Sequence, residues 1–99
     1  MKLPNECHSL EEIRQEIDEI DHSIISLIGK RFSFIKEIIK HKSNADEVWA
    51  KDRYLTVINE RREFATRYDL DPDVIESIYR SLMDYFIKEQ LELLKNKQK

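Results

Sequence analysis

The sequence predicts an all-α fold: one long helix followed by two shorter ones, paired with a second copy of the same chain. Three observations lead there. Charged residues make up 37% of the 99 positions, with one glycine and two prolines, a helix-rich composition with few turns. Large apolar residues recur every three or four positions through Leu10, Ile13, Ile17, Ile20, Ile24, Leu27, Phe34 and Ile38, the stripe of an amphipathic helix packed on other helices. Strong breaks fall in only two places, at 43–46 and at 68–72.

The elements follow in order. Residues 1–8 read as an extended arm, closed by Ser9 as N-cap with Glu12 three residues on, a capping box. The first helix then meets no breaker from Leu10 to about Lys42, and Gly29, its weak point, costs ~1 kcal/mol relative to alanine. Ser43-Asn44-Ala45-Asp46 is turn-like, and the second helix is expected from about Glu47 or Ala50 to Arg67. Tyr68-Asp69-Leu70 links it to Asp71-Pro72, an N-cap followed by proline at the first helical position. The third helix runs on to about Leu94, and the lysine-rich tail 95–99 is expected to fray. Residues 1–99 read as a single helical domain without repeats.

The length of the first helix is an argument about assembly. Roughly 33 helical residues span ~50 Å at 1.5 Å each, whereas a compact chain of this size has a radius of gyration near ~13 Å. Two shorter helices cannot cover such a stripe, so a homodimer is expected. The alternative is a kink at Gly29 that folds the first helix back into a monomeric bundle.

Composition excludes other classes. A net charge of −3 and a pI of about 5.6 argue against a nucleic-acid surface. Cys7 alone forms no disulfide framework and fits a reducing compartment. The N-terminus shows no apolar core of a signal peptide, and no apolar run approaches the ~20 residues of a membrane span. A soluble cytoplasmic protein, with no nucleic-acid or membrane partner, is expected.

Arg31 occupies a position on the apolar seam where leucine is expected. A guanidinium stays charged, and burying it without an anion is costly. Either a carboxylate meets it inside the bundle, or the cation is kept for an anionic ligand. Lys42, eleven residues on, returns to within ~20° of the same helix face and ~16 Å along the axis. The gap between the two cationic tips then has the size of a small dianion. Arg14 lies about 25 Å from Arg31 along the helix, so only an antiparallel partner helix brings the two together. Gln90 interrupts the otherwise largely apolar line Tyr79, Met83, Phe86, Gln90, Leu94, an uncharged donor and acceptor for orienting a ligand. Arg53, early in the second helix, is placed to aim back over the site.

Each group also has a plain structural reading. Lys42 and Arg53 are of the kind usually just solvated, Arg14 has Asp18 at i+4, and Gln90 can satisfy another helix. His8, His22 and His41 match no metal spacing, Cys7 has no catalytic partners, and Trp49, Tyr54 and Phe64 read as packing. There is no phosphate loop, nucleophile elbow or metal motif. An enzyme built this way works with fixed cations and shape, holding a flexible polyanion in a reactive conformer and stabilising charge as a bond breaks.

At these residues the chain resembles the all-helical (type II) chorismate mutase family, and within it the isochorismate-pyruvate lyase branch. The run Lys2-x-Pro4-x-x-Cys7-x-x-Leu10-x-x-Ile13-Arg14-x-x-Ile17-Asp18-x-Ile20-Asp21 carries most of the resemblance. Lys30-Arg31, Lys42, Arg53 and Ile87-x-Glu89-Gln90 fall at the family's spacings without gaps. The resemblance implies an intertwined three-helix homodimer with two equivalent sites, Arg14 reaching into the site of the other subunit. Arg31 and Arg14 would bind substrate carboxylates. Lys42 would contact the enolpyruvyl ether oxygen, Gln90 would hydrogen-bond the same region, and Arg53 would help close the pocket. The lyase converts isochorismate to salicylate and pyruvate by concerted hydrogen transfer; the mutase converts chorismate to prephenate; neither needs a cofactor or a metal.

One departure bears on the choice. Mutases of this class usually carry a glutamate just after the arginine of the second helix, where this chain has Tyr54, and a serine near the third-helix glutamine, apparently replaced by Phe86. A more apolar pocket is similar to the lyase branch, which retains weak mutase activity. The expected function is therefore isochorismate-pyruvate lyase, with a dedicated chorismate mutase as the alternative. A non-enzymatic helical dimerisation module, its seam arginine meeting Glu16, Asp18 or Asp21 of a partner, is the second alternative.

Overall fold

Ser9 opens the first helix: its Oγ accepts the Glu12 N–H at 3.1 Å. Glu12 Oε2 reaches back to the His8 N–H at 2.8 Å, one residue earlier than a standard capping box, and pairs with Lys2 at 3.2 Å. These contacts, the His8 amide foremost, hold the Glu12 carboxyl below the usual carboxylate range. A computed structural model describes residues 2–97 of the chain. Met1, part of the expected arm, and residues 98 and 99 of the expected frayed tail lie outside the described residues. Among these, the ordered elements are all helical. A 3-10 turn at Pro4–Glu6 precedes α1 (Leu10–Ile38); a second at Ile39–His41 precedes α2 (Ala45–Trp49), α3 (Lys51–Arg67) and α4 (Pro72–Lys97).

Two boundaries differ from the sequence reading. The first α-helix ends at Ile38, and Lys42 has left it, with extended φ −109° and ψ 140°. Local competition explains this. Asn44 caps α2 by accepting the Glu47 N–H at 3.0 Å, and Glu47 Oε2 takes the Ser43 N–H at 2.8 Å, a donor that a continuing helix would need. The extrapolation that put Lys42 on the helical face of Arg31 is thus corrected. Of the two expected starts of the second helix, that near Ala50 agrees with α3, which ends at Arg67 as expected; that near Glu47 falls inside the separate α2, divided from α3 at Ala50, which adopts the left-handed φ 40°, ψ 58°. Gly29, by contrast, does not break α1.

The α3–α4 link follows its sequence signals. Asp69 is left-handed at φ 60°, the Leu70 N–H donates to Ala65 at 2.8 Å and the Asp69 N–H to Thr66 at 3.3 Å, which together form a Schellman motif without glycine. Asp71 caps α4, its Oδ1 accepting the Asp73 N–H at 2.8 Å, with Pro72 as first helical residue. The helix runs to Lys97, past the expected end near Leu94.

The chain forms two compact units, Met1–Phe34 and Ile35–Lys99. In the second, α4 packs antiparallel to α3 and also against α2 and the 3-10 turn at Ile39–His41, which gives two apolar clusters. Val57, Ile58 and Met83 form one; Ile39, Val48, Ile87 and Leu94 form the other. Tyr54 packs against both. Nothing on α1, which runs through the first unit and ends in the second, is buried: its apolar seam residues are between 39% exposed (Ile38) and 66% exposed (Phe34) in the single chain.

Candidate active site

Three of the expected site residues lie in the Ile35–Lys99 unit. Lys42 follows the 3-10 turn, half-buried, and its Nζ donates to the Glu47 carbonyl at 2.7 Å. An ammonium has three donors, so this bond aims the cation and leaves two N–H groups for a ligand. Gln90 lies on α4, only 6% exposed, a buried amide beside Phe86, Ile87 and Leu94 on a face that is otherwise apolar. Burying an amide is costly without a partner, so its place here needs a reason beyond packing. The 3-10 turn before Lys42 packs on α4 through Ile39 and Leu94, so the elements carrying Lys42 and Gln90 share one apolar cluster. Arg53 is exposed in the first turn of α3, directly after the left-handed Ala50.

The other two lie on α1, in the first unit. Arg14 is exposed. Arg31 is half-buried, its Nη1 shielded from solvent on a helix whose other seam positions are apolar and exposed.

Tyr54, read from sequence as packing, is that and more. Its hydroxyl donates to Asp84 Oδ1 at 2.9 Å, and the Arg80 guanidinium lies 5.7 Å from its ring centroid. Desolvation first, and the Asp84 carboxylate second, push the phenol above its ordinary value. Arg80 also pairs with Glu76 at 2.7 Å, and Arg62 bridges Glu76 and Asp73, each at 2.9 Å. Phe86, the other departure from the mutase pattern, is buried. A cleft of about 430 Å³ on α4, lined by Asp73, Glu76, Ser77, Arg80, Ser81 and Asp84, contains none of the expected site residues.

Sequence reasoning missed Glu47 and Asp84. Glu47 carried a signal, since Asn44-x-x-Glu47 is itself a capping box. Asp84 carried none, because its partner is thirty positions away. Among the described residues no group of His, Cys, Asp or Glu is placed to hold a metal ion, and no helix is long and apolar enough to cross a membrane.

The family model for type II chorismate mutases matches residues 13–91, a span that includes Arg14, Arg31, Lys42, Arg53 and Gln90. The chain belongs to the type II chorismate mutase family. It is thereby an enzyme of the pericyclic, chorismate-utilising class, and not the helical dimerisation module considered from sequence. It is 29% identical over 92 residues to an isochorismate pyruvate lyase of Pseudomonas aeruginosa, covering 93% of this chain and 91% of that one. It is also 29% identical over 94 residues to a chorismate mutase of Methanocaldococcus jannaschii, covering 91% of this chain and 95% of that one. A T-protein of Haemophilus influenzae matches at 29% over 77 residues, 76% of this chain but 20% of its own length.

Proposed function

We propose that this type II family member is an isochorismate-pyruvate lyase, forming salicylate and pyruvate from isochorismate, with weak chorismate mutase activity. The observation that carries the choice is Tyr54. Where dedicated mutases place a glutamate for the substrate hydroxyl, this chain has a phenol tied to Asp84 and a ring packed on both apolar clusters. Phe86, at the other position that departs from the mutase pattern, is apolar and buried.

In this reading Lys42 sets its charge against the ether oxygen, where negative charge grows as the C–O bond breaks. Such an interaction is stronger in the transition state than in the ground state and so accelerates the step. Gln90 hydrogen-bonds the same region without adding charge. Arg31 and Arg14 of a second copy take the carboxylates, and Arg53 helps close the pocket. The chain acts as an intertwined homodimer that needs no cofactor. The exposed seam of α1 supports that assembly, because burying an isoleucine or leucine is worth about 1.5–3 kcal/mol and this helix offers eight large apolar seam residues.

The dedicated mutase is the second reading, favoured by the Methanocaldococcus jannaschii relative, which this chain matches over nearly its whole length. Supplying isochorismate and chorismate separately and following salicylate and prephenate decides between the two. The lyase reading expects the higher kcat/KM for salicylate formation, and Tyr54→Glu to shift the ratio towards prephenate. Prephenate as the only product of the wild type overturns it.

A further inference from the structure

We propose that Lys97 is a positioning residue that fixes the backbone carrying Lys42; its catalytic consequence rests on the role given to Lys42 above. Lys97 Nζ donates to the carbonyls of Ile39 at 3.0 Å, Lys42 at 3.0 Å and Lys40 at 3.4 Å. An ammonium has three N–H donors, and here each has a different main-chain acceptor. The acceptors are carbonyls at the end of a helical segment, where a cation is favoured; that of Ile39 also accepts the Lys42 N–H.

The arrangement ties residue 42 at each of its polar groups. Its N–H donates to the Ile39 carbonyl at 3.2 Å, its Nζ to the Glu47 carbonyl at 2.7 Å, and its own carbonyl accepts from Lys97. The first two contacts are local. The third spans 55 positions and anchors this stretch to the last turn of α4. One turn before Lys97, Leu94 is buried with Ile39, so the apolar cluster delivers the ammonium to the carbonyls. Lys97 is itself exposed, and its removal leaves that cluster intact. It also sets a second positive charge beside the main chain of Lys42, the sign that an anionic substrate requires. A catalytic group displaced by about 1 Å can lose about 10²-fold in rate, so a clamp on this backbone bears on turnover.

The test compares full-length Lys97→Met, Lys97→Arg, Lys95→Met and Lys42→Met with the wild type, by amide hydrogen exchange without substrate and by kcat and KM on isochorismate. Lys97→Met is expected to speed exchange of the Lys42 N–H about tenfold, with Val57 and Ile58 unchanged. Its kcat is expected to fall by about 10-fold to 10²-fold, with KM moving less. Lys97→Arg should recover part of both, because a guanidinium also donates to carbonyls. Lys95→Met should change neither. Unchanged exchange at Lys42 in Lys97→Met overturns the clamp, whatever the activity. Unchanged kcat in Lys97→Met, while Lys42→Met is inactive, overturns its catalytic consequence. Full turnover by Lys42→Met refutes instead the role of Lys42 in the proposed function, and exchange alone then judges the clamp.

Discussion

Helices α1 and α4 carry similar apolar patterns and meet opposite fates. On α4, Met83, Ile87 and Leu94 are buried in clusters with other elements of their own unit, and Phe86 is buried as well. On α1, Leu10, Ile13, Ile17, Ile20, Ile24, Leu27, Phe34 and Ile38 repeat at least as regularly, and every one is exposed in the single chain. Periodicity therefore identifies the face a helix buries but not what covers it. The polar exceptions differ in the same way. Gln90 on α4 is buried, whereas Arg31 is half-buried on a helix whose apolar seam is exposed in the single chain. In the proposed assembly a second copy covers that seam.

The largest effect is expected at Lys42. Loss of one preorganised donor to a developing oxyanion typically costs about 10²–10³ in kcat, so Lys42→Ala should lose at least that factor while circular dichroism shows an unchanged helix content. Lys42→His should recover part of the activity at low pH and lose it as pH rises through about 6–7, as imidazole loses its charge. A profile identical to that of Lys42→Ala would show that charge is not what this position supplies.

Truncating one apolar residue on each helix pair sharpens the comparison further. Ile58 is 2% exposed, so Ile58→Ala should destabilise the chain by about 2–5 kcal/mol at every protein concentration. Ile20→Ala should act through association, with a loss of stability that grows on dilution. Denaturant unfolding at two concentrations separates the two. A concentration-independent loss in Ile20→Ala would mean that its own chain covers the seam.

The smallest effect is electrostatic, with one carboxyl in each unit. Glu12 is held low by the His8 amide and then Lys2; Glu76 is held low by Arg80 and then Arg62. Because both folded values lie below the unfolded ones, their stabilisation is present above the ordinary carboxylate range. It is lost as pH falls through the folded values. Carbon-detected NMR titration should give both midpoints below that of a free glutamate. An ordinary midpoint at either residue would remove its ion pair from the account.

The legible parts of the chain were those with local signals. The Ser9 cap, the Asp71-Pro72 start and the α4 line through Gln90 all depend on residues within a few positions of one another, and the structure contains them. The end of α1 was misplaced because no breaker stands before Ser43 and the competing Asn44–Glu47 cap was not read. The left-handed break at Ala50 was illegible, since alanine gives no sign of a conformation that glycine or asparagine would announce. The bonds of Lys97 and Asp84 join residues 30 to 58 positions apart, beyond any spacing rule. The tail read as frayed thus contains a residue that anchors the candidate site.

The claim that the face of α1 is completed by a second copy, and that Arg14 serves that copy's site, is tested most directly by complementation. Arg14→Ala and Lys42→Ala homodimers, each nearly inactive alone, are unfolded together, refolded and assayed on isochorismate, with differently tagged chains used to isolate the heterodimer. The account predicts about one working site per heterodimer, hence about half the wild-type kcat per dimer. An isolated heterodimer as inactive as its parents would contradict it.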